Sequence, residues 1–183
     1  MKLSLFIFWL VLSLTLFAAR QEPQPETSKE YQIKAVFLFN FTHFVEWPAA
    51  SFHEPTAPFV IGIMGRDPFG SYLDETVRGE NLQGHPLVIR RFKSLDDVDA
   101  CHILFINIAD KEEIKHVLDK VKGKPVLTVG DVNNFARQGG MIRFITESNR
   151  TRIRINLEAA KQADLTISSK LLKLAEIVET QSK

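Results

Sequence analysis

The sequence predicts an α/β fold: a single domain on a mixed sheet of about six strands, with helices on both faces. Three observations carry this. Short apolar runs at 59–64 (FVIGIM) and 103–106 (ILFI) have the make-up of strands buried on both faces, and 126–129 (VLTV) is a further short strand candidate. Helix-patterned segments separate them, the order expected of parallel strands joined by crossovers. Two alternating segments after residue 140 add a hairpin.

Taken in chain order, residues 1–19 (MKLSLFIFWLVLSLTLFAA) read as a signal peptide: Lys2, an uncharged apolar run, then Ala18 and Ala19. The 15 apolar residues from Leu3 to Phe17 reach about 22 Å as a helix, short for a membrane span. Phe17 stands where cleavage favours a small residue, so an uncleaved anchor is the competing reading. Residues 20–28 form a polar tether with Pro23 and Pro25, and residues 29–178 form the domain.

A helix is expected over 30–46, with Ile33, Val36, Phe37, Phe41 and Phe44 at helical spacing. Trp47-Pro48 ends it, because a residue before proline avoids helical angles. Asn40 lies among these phenylalanines and is expected to be buried, where its amide needs partners. After the strand at 59–64, GRDPFG is turn chemistry, and Pro68 is placed in the first turn of a helix carrying Leu73 and Val77. Strands follow at 86–91 and 103–106. Asp110 caps a helix, with Glu113 completing a capping box and Ile114, Val117, Leu118 and Val121 as its apolar stripe. After the strand at 126–129, the hairpin alternates. With Asn149-Arg150 as its loop, Glu147 faces Arg152 and Arg143 faces Asn156. A helix starts near Leu157. A last one is capped by Ser168 and buries Leu171, Leu172, Ala175 and Val178.

Composition narrows the chemistry. The chain has 23 basic and 22 acidic residues among 183, and losing Lys2 with the leader leaves 22 of each. That balance argues against nucleic acid as a partner. One cysteine, Cys101, excludes an intramolecular disulfide and a thiolate zinc site. The five histidines lack metal-ligand spacing, and 65–70 lacks the lysine of a phosphate-binding loop. Ser168-Ser169-Lys170 reads as a helix cap rather than an activated serine. No catalytic, cofactor-binding or metal set is expected, and the chain does not read as an enzyme. The outward hairpin face carries Arg143, Arg152 and Arg154 with Glu147 and Asn156. It is either a solvated face or a patch for an acidic partner or small anion.

Six segments in order resemble the YfiR/HmsC-like family of bacterial periplasmic proteins: EYQIKAVFLFNFTHFVEWP (30–48), IGIMGRDPFG (61–70), CHILFIN (101–107), KPVLTVGD (124–131), GGMIRF (139–144) and INLEAAKQADLTISSKLLKLA (155–175). The resemblance implies a single-domain α/β fold in the periplasm and a regulatory task. It implies binding to the periplasmic region of an inner-membrane diguanylate cyclase, which lowers cyclic-di-GMP synthesis and biofilm formation. An outer-membrane lipoprotein that sequesters the inhibitor is a further implied partner; a homodimer is expected separately from the resemblance. Some members of the family carry paired cysteines, and here Cys101 has none in the chain.

The residues offered for partner or ligand contact are Glu46, Trp47, Arg143, Arg154 and Asn156. The competing reading is a periplasmic small-ligand sensor without a cyclase partner. Its pocket would be lined by the loops at 65–70, 107–110 and 130–134, at the ends of the apolar strands.

Overall fold

The computed structural model describes residues 28–148 and 150–180; the expected signal peptide and most of the tether lie outside them. The chain opens with helix α1, Lys29–Phe44, capped by Ser28, whose hydroxyl accepts from Tyr31 N–H. β1, Val45–Glu46, follows where the helix was expected to continue. It pairs antiparallel with β9, Thr166–Ile167, in a small separate sheet. β-branched Val45 takes extended angles, φ −120° and ψ 140°, and ends the helix.

The main sheet has eight strands in the order β10-β8-β7-β6-β5-β2-β4-β3. They are β2 (Phe59–Gly65), β3 (Asn81–Leu82), β4 (His85–Phe92), β5 (Ile103–Asn107), β6 (Leu127–Gly130), β7 (Ile142–Glu147), β8 (Arg150–Ile155) and β10 (Ala175–Ile177). β4, β2, β5, β6 and β7 are mutually parallel, β8 is antiparallel to β7 and parallel to β10, and β3 is antiparallel to β4. Each parallel strand therefore ends at one carboxyl edge of the sheet.

The two strands beyond the expected six are the outermost ones. β10 replaces most of the predicted last helix. That helix, α5, stops at Ser169–Leu172, and Ser168 caps it as expected. The chain then runs parallel to β8, and Val178 N–H donates to Ile155 O at 2.9 Å. Covering the open edge of β8 satisfies backbone groups that a longer helix would have left unpaired.

Two cores fill the two faces. Under α1 and α2 (Ser71–Val77), Phe41, Phe59, Phe69, Phe105 and Phe144 are fully buried or nearly so. On the other face, α3 (Lys111–Val121) packs Ile114, Val117 and Val121 against Leu104 and Ile106. Asp110 caps α3, its carboxylate accepting from Glu113 N–H at 2.9 Å. Pro68 sits before α2 rather than in its first turn, because Gly70, at φ +54, takes the capping position. Ile33 and Val36 of α1 are exposed, and Asn40 is only half-buried, against expectation. The helix is apolar all round, so periodicity alone does not say which side meets the sheet. Its inward side carries Lys34, Ala35, Leu38, Phe41 and Thr42.

Candidate functional site

Strand register lines up one residue per strand across the α3 face: Phe92, Met64, Ile106, Gly130, Arg143, Arg154 and Glu176. The row changes character at Gly130. Phe92, Met64 and Ile106 are buried in the core with α3. Phe135 lies against Gly130, where an added Cβ would come within 2.9 Å of the ring. From Arg143 outward the side chains are half-buried or exposed and charged. A sheet three strands wider than its apolar core thus presents a charged half-face.

The hairpin register differs from expectation by two residues. Glu147 pairs with Arg150 and Arg143 with Arg154, so Arg143 does not face Asn156. Ser148, at φ +48, carries the reversal. Two guanidinium groups therefore stand side by side on neighbouring strands. Arg154 Nε donates to Glu176 at 2.7 Å. Arg143 Nη2 donates to Asn133 Oδ1 at 2.6 Å. Arg143 Nε is buried with no acceptor. Burial, and then the nearby charge of Arg154, hold the Arg143 guanidinium below its ordinary pKa, with Arg137 adding to this. Glu147 still reaches Arg152, at 4.0 Å, along the diagonal between strands.

Asn156 leaves the surface list. It is 0% exposed, and its Oδ1 caps α4 (Leu157–Gln162) by accepting from Ala159 N–H. Its Nδ2 donates to Ala136 O and Thr180 Oγ1. Alternation placed it on the outward face, but β8 ends at Ile155 and the chain turns inward.

Glu46 lies on β1 in the small sheet and Trp47 at the amino edge of β2 and β5, away from the arginine row on β7 and β8. Glu46 is exposed on β1. Trp47 is half-buried, edge-on to Phe59 with centroids 4.8 Å apart, and its Nε1 donates to His102 O at 3.2 Å. His102, just before β5, stacks on Phe52 and Phe59. Val60 N–H donates to its Nδ1, so the proton rests on Nε2, which faces Ser51 O at 3.2 Å. Burial pulls its pKa down to about 4. Trp47 thus anchors the loop after α1 to the start of β5.

Sequence reasoning missed a buried cation. Lys34 is 2% exposed on the inward side of α1. Its Nζ lies 2.8 Å from Asp131 and 2.6 Å from Glu30, and 4.4 Å from the centre of the Tyr31 ring. Tyr31 O–H donates to the same Asp131 oxygen at 2.9 Å. Burial first, then Asp131, raises the tyrosine's pKa, while the hydrogen bond from Lys34 lowers that of Glu30. The only sequence signal was a charge inside an apolar stripe. Long lysines at such positions usually extend their ammonium to water.

The three loops offered as a ligand pocket do share the carboxyl edge, but two of them are tied shut. Arg66 N–H donates to Asn107 O at 3.1 Å, and Asn107 Nδ2 returns a bond to Arg66 O at 2.8 Å. Gly65, at φ +88, has Asn107 O 2.3 Å from where a Cβ would stand. Arg91 fixes the 65–70 loop through Asp67, Asp74 and Gly70 O. Cavities lie instead at the amino edge beside Ser51 and His102, about 300 Å³, and beside Trp47, Phe52 and His85, about 430 Å³. Among the described residues, no three His, Cys, Asp or Glu side chains converge to hold a metal. Cys101 is buried and its Sγ donates to Val98 O.

Comparison with known proteins gives one family match: a family model described as YfiR/HmsC-like matches residues 31–176. No curated protein matches the chain.

Proposed function

This chain belongs to the YfiR/HmsC-like family, and on that premise we propose that it is a periplasmic regulator that binds and inhibits an inner-membrane diguanylate cyclase. The family match over 31–176 carries the reading, since it spans all of the main sheet but the last residue of β10. The family-level task is regulatory rather than catalytic. Among the described residues, no helix is long and apolar enough to cross a membrane. The expected leader at 1–19 would place the domain beside the periplasmic part of such a cyclase.

The β10 end of the sheet is the surface we assign to the partner. Leu174, 71% exposed, precedes and Ile177, 49% exposed, ends an edge strand whose outer side pairs with no described strand. Arg154 and Arg152 lie on the adjoining face. Exposed apolar side chains rimmed by charge suit a protein interface. Glu46 on β1 and Trp47 at the start of β2 and β5 are not part of this surface. An outer-membrane lipoprotein competing for it, and a homodimer, complete the proposal.

A photocrosslinker at position 174, with position 83 at the other end of the sheet as control, tests this in the native bacterium. Capture of a membrane protein with a diguanylate cyclase domain through 174 alone is expected, with cyclic-di-GMP rising on deletion of the gene. Unchanged cyclic-di-GMP on both deletion and overproduction would sink the inhibitor reading.

A further inference from the structure

We infer that Arg143, with Arg154 and Arg137, forms a binding site for a small oxyanion, the phosphate or carboxylate group of a soluble metabolite. The site stands on geometry of this chain alone and does not depend on the cyclase reading.

The argument is one of uncompensated donors. Arg143 is held in place rather than free to sweep through solvent. Its neighbour on β6 is Gly130, its neighbour on β8 is Arg154, and Asn133 fixes its Nη2 at 2.6 Å. Its Nε is enclosed without an acceptor. A buried guanidinium donor left unpaired is costly; Nε itself is closed off, and an acceptor from outside reaches Arg143 through the part of its half-buried side chain that remains exposed.

The carboxylates nearby bond to other groups, and Asp131 and Glu147 act on Arg143 only through their charge at a distance. Asp131 serves Lys34 and Tyr31. Glu176 serves Arg154, and Glu147 reaches Arg152. Arg137, exposed on the turn Phe135–Gln138, makes no ion pair or hydrogen bond among the described residues. Arg143 and Arg137 are therefore the cations left without a carboxylate partner, and Arg154, shared with Glu176, adds its charge beside Arg143.

That localisation selects the ligand. An extended acidic surface would call for charge spread along the strands, yet Arg152 and Arg154 already have carboxylates. One oxyanion is enough to satisfy the donors left over, and the guanidinium fork matches both phosphate and carboxylate geometry. The position also suits a small molecule. It lies where β7 passes the carboxyl end of β6, and Asn133 comes from the loop after β6. Ligands of open α/β sheets gather at such strand ends.

The test uses the chain expressed with its own leader, recovered from the periplasm and labelled with ¹⁵N. The arginine Nε–H resonances are followed while sodium phosphate or sodium succinate is added, with sodium chloride at matched ionic strength as a third arm. A saturable shift of the Arg143 resonance, identified by its loss in Arg143→Gln, is expected with phosphate or succinate and not with chloride. The arm that saturates at lower concentration names the head group. Arg154→Gln and Arg137→Gln change outer side chains and keep the test valid if Arg143→Gln fails to fold. Each is expected to weaken binding at least tenfold. Shifts that track ionic strength equally in all three arms, or affinity unchanged in both outer variants, would overturn the proposal.

Discussion

Lys34 Nζ lies 2.8 Å from the Asp131 carboxylate, joining the first helix to the end of β6 across 97 residues of chain. The lysine is 2% exposed, so its charge is matched by protein groups rather than by water. Removing one partner of a buried pair leaves the other's charge uncompensated, which typically costs about 3–5 kcal/mol. Lys34→Ala is therefore expected to lower stability by about that amount, and Lys34→Met, which keeps the packing volume, by less. Urea unfolding of the two variants checks the order. Equal losses would mean that charge, not packing, is what Lys34 supplies.

His102 gives stability a pH dependence of definite sign. Burial sets its folded pKa near 4, against the ordinary value of 6.5. The unfolded chain then binds more protons than the folded one between those values, so stability falls as pH drops from about 6.5 towards 4. Protonating Nδ1 also removes the acceptor for Val60 N–H. Glu30, with its pKa lowered by the hydrogen bond from Lys34, adds a further loss below the ordinary carboxylate range. The melting temperature of the parent chain should decline through this window, and that of His102→Asn should decline less above pH 4.5. Parallel curves would remove His102 from the account.

Gly140 is required by the Phe135 ring. A Cβ at 140 would stand 2.2 Å from Phe135 Cε1, and the ring is fully buried and unable to withdraw. Overpacking of this kind costs about 1–3 kcal/mol. Gly140→Ala should lower the urea midpoint with an unchanged slope. Pairing it with Phe135→Leu should recover part of the loss, since the smaller side chain vacates the contested space.

Asn156 binds three elements with one side chain: the start of α4, the turn at Ala136 and the C-terminal segment at Thr180. Loss of the cap alone costs about 1 kcal/mol. Ala136 O and Thr180 Oγ1 would lose their donor as well, so Asn156→Ala is expected to cost about 2–3 kcal/mol. Asn156→Asp keeps the capping oxygen and loses both donations. An intermediate loss in calorimetry would separate the two contributions.

Much of the parallel sheet was legible because its strands are short apolar runs bounded by turn residues. Buried on both faces, they need no partner information to be recognised. Asp110 and Ser168 were legible as caps for a local reason, since each bonds an N–H three residues on. β10 was not, because Ala175, Glu176 and Ile177 take a strand conformation from the open edge of β8, 20 or so residues earlier in the chain. The inward side of α1 was hidden for a related reason. A helix with apolar residues on every side leaves the choice to what packs against it, and here that choice buried Lys34 and exposed Ile33 and Val36.

Sequence by itself determined the fold class, the family and the alternating faces of the hairpin, all properties of local pattern and order. Tertiary structure decided the site. A two-residue change of hairpin register keeps every side chain on its face, so alternation cannot detect it. Yet that change sets Arg143 beside Arg154 instead of Asn156. The same is true of the commitments that leave Arg143 unmatched. Asp131 is drawn to a lysine 97 residues away, and Glu176 to an arginine on the neighbouring strand. Charge balance at a site depends on which partners the fold has already taken, and that is settled only when distant segments meet.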